Sequence, residues 1–220
     1  MPVQTKICGT TSLGDAQLAR EAGADFLGVI LHHPASPRHV SLEVARQISD
    51  SVSLSVVALG VNQSLETWLH IAEALRPVAL QLHGDEAPEL VAALAARGFS
   101  VWKAIAGDEN ALLAQARLFS QAGAKAIVVD AREIAPGGTI YGGTGHLADW
   151  NGARRLVELG FRVVLAGGLD PDNVARAVET VQPWGVDVVS GVEASKGRKD
   201  AAKVRDFVRR AHFPTSKVGN

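Results

Sequence analysis

Eight short runs of Val, Ile, Leu and Ala recur along the 220-residue chain, each followed by a longer segment rich in Ala, Leu, Glu and Arg. The runs fall near 3–8, 25–31, 54–61, 78–82, 99–105, 125–130, 162–166 and 185–190. They are almost wholly apolar, as in Gly-Val-Ile-Leu from position 28 and Ala-Ile-Val-Val from position 126. An apolar run without alternation marks a strand buried on both faces, and such strands belong to parallel sheets covered by helices. The pattern therefore predicts an α/β chain of strand–helix units. Two parallel architectures meet it: an open doubly wound sheet, which has five or six strands, and a closed (β/α)8 TIM barrel. Eight units point to the barrel.

The segments between the runs read as helices. Residues 198–212 set Val204, Phe207, Val208 and Ala211 on one face at i, i+3, i+4 and i+7. Asp170-Pro171 is a start signal, because Asp can cap and Pro is preorganised for the first helical turn. Ser12 with Asp15 reads as a capping pair, and Ser41 and Ser64 sit where the second and third helices should open. No linker or composition break divides the chain, so a single domain over 1–220 is expected, with a frayed tail at about 213–220.

Composition narrows the function classes. Lys and Arg total 22 against 23 Asp and Glu, a balance that argues against nucleic acid as partner. No apolar run approaches a membrane span, and no leader-like stretch opens the chain. A lone cysteine forms no internal disulfide, which points to a reducing cytoplasm. The seven histidines lack metal-ligand spacing, and His32-His33 is read as two rings pointing apart on a strand, so no metal is expected. The segment 131–148 is long for a barrel loop. Its glycines, with Gly142-Gly143-Thr144-Gly145 at their centre, read as a lid.

A barrel of this kind keeps its site at the C-terminal strand ends. Gly167-Gly168 and Ser190-Gly191 follow the last two strands, and backbone N–H groups there can hold a phosphate; alternatively, the glycines serve tight turns only. Cys8, at the first strand end, is either a small buried hydrophobe or a reactive thiol. Asp130 follows Ala-Ile-Val-Val; burial there would raise its pKa and suit a general acid, while a cap or loop hydrogen bond is the plainer role. Arg38 can grip a carboxylate by a two-pronged hydrogen bond or stand solvated. His83 can orient a ligand or serve structure alone. Lys103 is the weaker catalytic candidate, as a Schiff-base lysine.

Read together, Lys6-Ile7-Cys8-Gly9, Ala22-Gly23-Ala24-Asp25-Phe26-Leu27-Gly28, Ser36-Pro37-Arg38, Gln81-Leu82-His83-Gly84-Asp85-Glu86, Gly142-Gly143-Thr144-Gly145 with Asp149-Trp150, Leu165-Ala166-Gly167-Gly168-Leu169, and Val186-Asp187 through Glu193 with Lys199-Asp200 resemble the phosphoribosylanthranilate isomerase family of tryptophan biosynthesis, in family order over nearly the whole chain. The resemblance implies an Amadori rearrangement of a phosphorylated aminoaldose to an aminoketose, with no cofactor and no redox step. It implies Cys8 as general base, Asp130 as general acid, Arg38 on the anthranilate carboxylate, Asp187 near the substrate amine, and Gly167, Gly168, Ser190 and Gly191 on the phosphate. A monomer or homodimer is expected. The chain departs from the family's pattern at Gly60, at His146-Leu147-Ala148 and at Arg198, which bears on the lid and pocket walls. Another sugar-phosphate isomerase, or an aldolase using Lys103, would sit on the same barrel. A non-catalytic phosphate-binding protein would keep the glycine loops and need neither Cys8 nor Asp130.

Overall fold

In the computed structural model, residues 2–135, 138–141 and 148–214 are described, the backbone alone for 132–135 and 138–141. Eight parallel strands close into a barrel: β1 (Gln4–Ile7), β2 (Phe26–Ile30), β3 (Ser55–Gly60), β4 (Ala79–Leu82), β5 (Val101–Ile105), β6 (Ala126–Val129), β7 (Val163–Leu165) and β8 (Gly185–Val188). Each pairs with its neighbours in chain order, and β1 pairs with β8 to close the ring. The helices are α1 (Leu13–Glu21), α2 (Leu42–Ser51), α3 (Leu65–Leu75), α4 (Pro88–Ala95), α5 (Glu109–Gln121), α6 (Trp150–Glu158), α7 (Val174–Val181) and α8 (Ala201–His212). The eight apolar runs are the eight barrel strands, and the open-sheet alternative is excluded by the closure.

Strand alternation sorts the core into two layers. One face of each strand packs outward against the helices, where Ile7, Leu27, Leu80, Val129 and Leu165 meet Ile48, Trp68 and Phe207. The other face fills the barrel with Val57, Ala79, Trp102, Ala104, Ala126, Val128, Val164 and Ala166. Trp102 meets Phe26 and Trp184 edge to face, with centroids 5.4 and 5.6 Å away, and Phe26 and Trp184 lie tilted to each other at 5.9 Å. Above this filling, towards the C-terminal strand ends, Cys8, Ile30, Leu59 and Val61 form a separate small cluster.

The helix starts follow cap chemistry. Ser12, Ser41 and Ser64 each accept the N–H three residues on, at 3.1, 3.2 and 3.1 Å, as their positions predict. Asp170 differs. Its Oδ1 accepts from the N–H groups of Asp172 and Asn173, closing a turn over 171–173, and α7 opens only at Val174. An Asx turn competes with the helix for the same donors, so Asp-Pro delays the start. The last helix likewise opens at Ala201, because Asp200 caps it and Arg198–Lys199 pairs with Glu193–Ser195 as a short antiparallel ribbon. His32 and His33 lie beyond β2, with His32 left-handed at φ 50°, and not on a strand. Arg132–Ala135 and Gly138–Tyr141 pair as a ribbon within the segment read as a lid. Gly142, Gly143, Thr144 and Gly145 lie outside the described residues, as does the tail from 215. No helix among the described residues is long and apolar enough to cross a membrane.

Candidate active site

A cavity of about 420 Å³ opens at the C-terminal strand ends. Gly191 packs against Leu169 O behind the lining, while Cys8, Arg38, His83, Asp130, Gly167, Gly168, Asp187 and Ser190, from six different strand ends, all border the cavity. Period-two alternation explains how. Lys6 and Cys8 share the inward face of β1, Gln81 and His83 that of β4, Val128 and Asp130 that of β6. Across the barrel seam, Lys6 stands directly beside Asp187 in the β1–β8 register.

Cys8 sits in a dense charged setting. Lys6 Nζ donates to Asp187 Oδ2 at 2.7 Å, with both side chains buried. Burial pushes the Cys8 thiol above its ordinary range; the nearby Lys6 and Lys199 ammonium groups pull the other way. Burial also pulls Lys6 down, but Asp187 and Cys8 outweigh it and hold Lys6 above its usual value. Gly28 makes room for this arrangement. A Cβ there would lie 2.5 Å from Cys8 Sγ and 2.9 Å from Lys6 Cε.

The loop that carries Arg38 is exposed at Pro37 and His39, but the Arg38 side chain turns inward. It is 9% exposed, and its Nε and Nη2 donate to Glu193 Oε1 and Oε2 at 2.7 and 2.9 Å. Lys199 Nζ approaches Glu193 Oε1 at 3.5 Å and donates to Val189 O at 3.0 Å. Burial holds the Lys199 amine below its ordinary value, against the pull of Glu193 and Cys8. Three cations (Lys6, Arg38, Lys199) thus face two carboxylates (Asp187, Glu193) around the thiol. The surplus positive charge opposes the effect of burial on Cys8 without outweighing it, and it suits an anionic group of a ligand. Among the described residues Arg38 Nη1 makes no hydrogen bond, which leaves it for such a group once Glu193 has fixed the plane.

Asp130 stands at the other wall. Its Oδ1 accepts from Ala131 N at 2.7 Å, and its Oδ2 lies 3.0 Å from His83 Nε2. His83 Nδ1 lies 3.0 Å from Gln81 Nε2. His83 is thus tied to the candidate acid and not merely structural. On the rim, Gly167 and Gly168 adopt φ +75° and +64°, which a side chain resists. A Cβ on Gly167 would meet Ala131 N in the loop after β6, and one on Gly191 would overlap Leu169 O in the loop after β7, so at each glycine a neighbouring loop passes too closely for any larger residue. Asn173 Nδ2 donates to Gly168 O and pins the first loop; Ser190–Val192 forms a 3-10 turn after β8.

Lys103 is not brought to the site. Trp102 and Ala104 fill the barrel, so Lys103 points outward into the helix layer. There its ammonium pairs with Glu86 at 3.1 Å, donates to Gly84 O and Ala104 O, and lies over the Phe119 ring. The Schiff-base alternative fails on strand parity. The charged partners Lys6, Glu193 and Lys199, and the buried Gln81, were absent from the candidate set. For Lys6 and Gln81 a signal existed: each lies two residues before a candidate on the same strand. Among the described residues no group of three or more His, Cys, Asp or Glu could hold a metal.

Fold and cavity together define a (β/α)8 barrel with a small-molecule site at the C-terminal face, built around a thiol and a carboxyl. The family model described as N-(5'phosphoribosyl)anthranilate (PRA) isomerase matches residues 5–210, and the chain belongs to that family. Curated relatives agree. The N-(5'-phosphoribosyl)anthranilate isomerase of Geobacter metallireducens is 45% identical over 95% of this chain and 98% of its own, and that of Geobacter sulfurreducens is 44% identical with the same coverage. The solved phosphoribosyl anthranilate isomerase of Thermotoga maritima superposes with a TM-score of 0.83 at 34% identity, covering 95% of this chain and 98% of its own. A solved isomerase in complex with reduced 1-(o-carboxyphenylamino)-1-deoxyribulose 5-phosphate has a TM-score of 0.81 at 33% identity, with the same coverage.

Proposed function

We propose that this chain converts N-(5'-phosphoribosyl)anthranilate to 1-(2-carboxyphenylamino)-1-deoxyribulose 5-phosphate in tryptophan biosynthesis, with Asp130 as general acid and Cys8 as general base. The observation that carries the reading is the opposition of the Cys8 thiol and the Asp130 carboxyl across one cavity, in a chain of this family. Asp130 delivers a proton to the ribose ring oxygen, and the C1'–oxygen bond breaks to leave an imine conjugated with the aromatic amine. The imine acidifies the hydrogen at C2', which the Cys8 thiolate removes. The resulting enolamine tautomerises to the ketone. Electrons only shift within the substrate, so the step consumes no redox cofactor. Each proton transfer contributes on the order of 10²–10⁴-fold.

The remaining residues bind. Arg38, oriented by Glu193, offers its free edge to the anthranilate carboxylate. The orphaned Asp187 Oδ1, buried without a partner among the described residues, suits the substrate amine N–H. Backbone N–H groups at Gly167, Gly168, Ser190 and Gly191 receive the phosphate. The reading includes a cytoplasmic location. It also includes a monomer or homodimer in solution; one solved relative is described as monomers generated from a dimeric Thermotoga maritima enzyme. The test is direct turnover of freshly made phosphoribosylanthranilate, followed by loss of its anthranilate fluorescence. Purified protein that leaves the fluorescence unchanged overturns the reading.

A further inference from the structure

Beyond Glu193 the chain turns back at Ser195-Lys196-Gly197-Arg198, and several contacts fix this turn. Ser195 pairs with Arg198 across it. Thr11 Oγ1 donates to Gly197 O at 2.6 Å, and Gly197 N–H donates to Glu193 Oε1 at 3.3 Å. Gly197 takes φ +80°, and a Cβ on it would lie 3.1 Å from Pro37 O, so the turn rests against the loop after β2. Lys196 and Arg38 therefore flank one loop–loop contact, each a single residue from it, and both border the cavity.

The two cations differ in what they already hold. Arg38 is buried, with both oxygens of Glu193 on its Nε and Nη2. That carboxylate matches its charge, so what Arg38 offers a ligand is direction. Behind it, Lys6 is matched by Asp187, and Lys199 donates to Val189 O and shares Glu193. Lys196 is exposed at the mouth of the cavity and meets no carboxylate among the described residues. Its backbone is already ordered, so only the side chain has freedom to lose when a ligand arrives.

The substrate of the proposed reaction carries two anions, a phosphate at one end and an aromatic carboxylate at the other. The glycine loops after β7 and β8 suit the phosphate, whereas the Lys196 turn leans on the Arg38 side. A carboxylate has about four lone-pair sites, more than the free edge of Arg38 fills. We propose that Lys196 is a second substrate-binding cation, which closes over the anthranilate carboxylate from the mouth while Arg38 holds it from the wall. This rests on the proposed isomerase reaction, which supplies that carboxylate. The carboxylate takes no part in the rearrangement, so the contact is the same in ground and transition states and acts on KM, not on kcat. An unmatched cation at the mouth also draws an anionic substrate inward, and salt weakens that pull.

Calorimetry with two ligands tests it. One is reduced 1-(2-carboxyphenylamino)-1-deoxyribulose 5-phosphate; the other is the same compound made from aniline, which keeps the phosphate and lacks the carboxylate. Lys196→Met should bind the first about five- to tenfold more weakly than wild type and the second equally well. KM for phosphoribosylanthranilate should rise in step, with kcat within about twofold. Lys196→Arg keeps the charge and should restore most of the affinity. Lys196→Glu should weaken the first ligand further than Met does, by like-charge repulsion. Added salt should narrow the gap between wild type and Lys196→Met. Because Lys196 is exposed, all three variants should keep the wild-type Tm. Equal weakening of both ligands would put the ammonium on the phosphate and overturn the proposal. Wild-type affinity of Lys196→Met for the first ligand, or a fall in kcat with KM unmoved, would overturn it as well. Failure of the wild type to turn over phosphoribosylanthranilate would instead overturn the assigned reaction, and the two ligands would still decide whether Lys196 reads a carboxylate. A wild type that binds neither ligand would overturn both.

Discussion

A buried thiol is a poor base, and at Cys8 the surrounding cations offset the burial only in part. Burial raises its proton affinity, and Lys6 is the largest opposing influence. Both effects act on one sulfur, so its position must be held closely. Cys8→Ala and Asp130→Asn should each lower kcat by about 10²–10⁴-fold. Product-analogue Kd should change far less, since neither group supplies much ground-state binding; calorimetry beside turnover tests the split. Gly28→Ala tests the position. The new methyl would crowd Cys8 Sγ, Lys6 Cε and the Cys8 backbone at Cα; the lysine stem can give way but Cys8 must shift, so kcat should fall by about tenfold or more and stability by about 1–3 kcal/mol. Wild-type turnover in that variant would mean that the Cys8–Lys6 geometry is immaterial.

At the scale of elements, the ribbon Glu193–Ser195 with Arg198–Lys199 connects the loop after β8 to the loop after β2. Arg38 and Glu193 are 155 residues apart in the chain. Asp15 reinforces the ribbon by accepting from Lys199 N, and Thr11 by donating to Gly197 O. Glu193→Gln should raise KM by leaving Arg38 unfixed, and should cost about 3–5 kcal/mol of stability, as removing one partner of a buried pair does. The variant also tests a pH effect. Burial alone would raise the Glu193 pKa, but the hydrogen bonds from Arg38 and the charge of Lys199 hold it below its ordinary 4.5. A carboxylate depressed in the fold contributes stability above its unfolded value, and that contribution is lost as pH falls through the folded one. Urea unfolding from about pH 6 to about pH 3 should therefore show a steeper acid loss in wild type than in Glu193→Gln. Here the reach of sequence reasoning is visible. Eight apolar runs and three serine caps foretell the elements because both are local signals. Asp130 stands out because it ends an apolar run, Cys8 and His83 because each ends a strand that the sequence predicts. The partners that set their chemistry do not, since Lys6–Asp187 and Arg38–Glu193 form only when the ring closes, and no local pattern records which polar side chains will then meet.

For the whole molecule, closure divides the polar groups of the strands between two destinations by parity alone. Inward residues near the C-terminal ends reach the cavity; outward ones fall between barrel and helices. Lys103 shows how complete the division is. Its ammonium is as buried as that of Lys6, yet it meets the carbonyls of Leu82 and Gly84, the Glu86 carboxylate and the Phe119 ring in the layer between barrel and helices. Glu86 in turn accepts from the N–H groups of Asn62 and Gly84, so this outward pair fastens the loops after β3 and β4. Lys103→Met should then cost about 3–5 kcal/mol, because it leaves the Glu86 carboxylate buried without its cation. Adding Glu86→Gln should recover part of that loss, since the stranded charge is removed as well. Turnover of phosphoribosylanthranilate should persist in folded Lys103→Met, and borohydride added during turnover should trap no adduct on the wild-type chain. A dead but stable Lys103→Met protein, or a lysine adduct in the mass spectrum, would mean that Lys103 reaches the substrate and that strand parity does not govern this barrel.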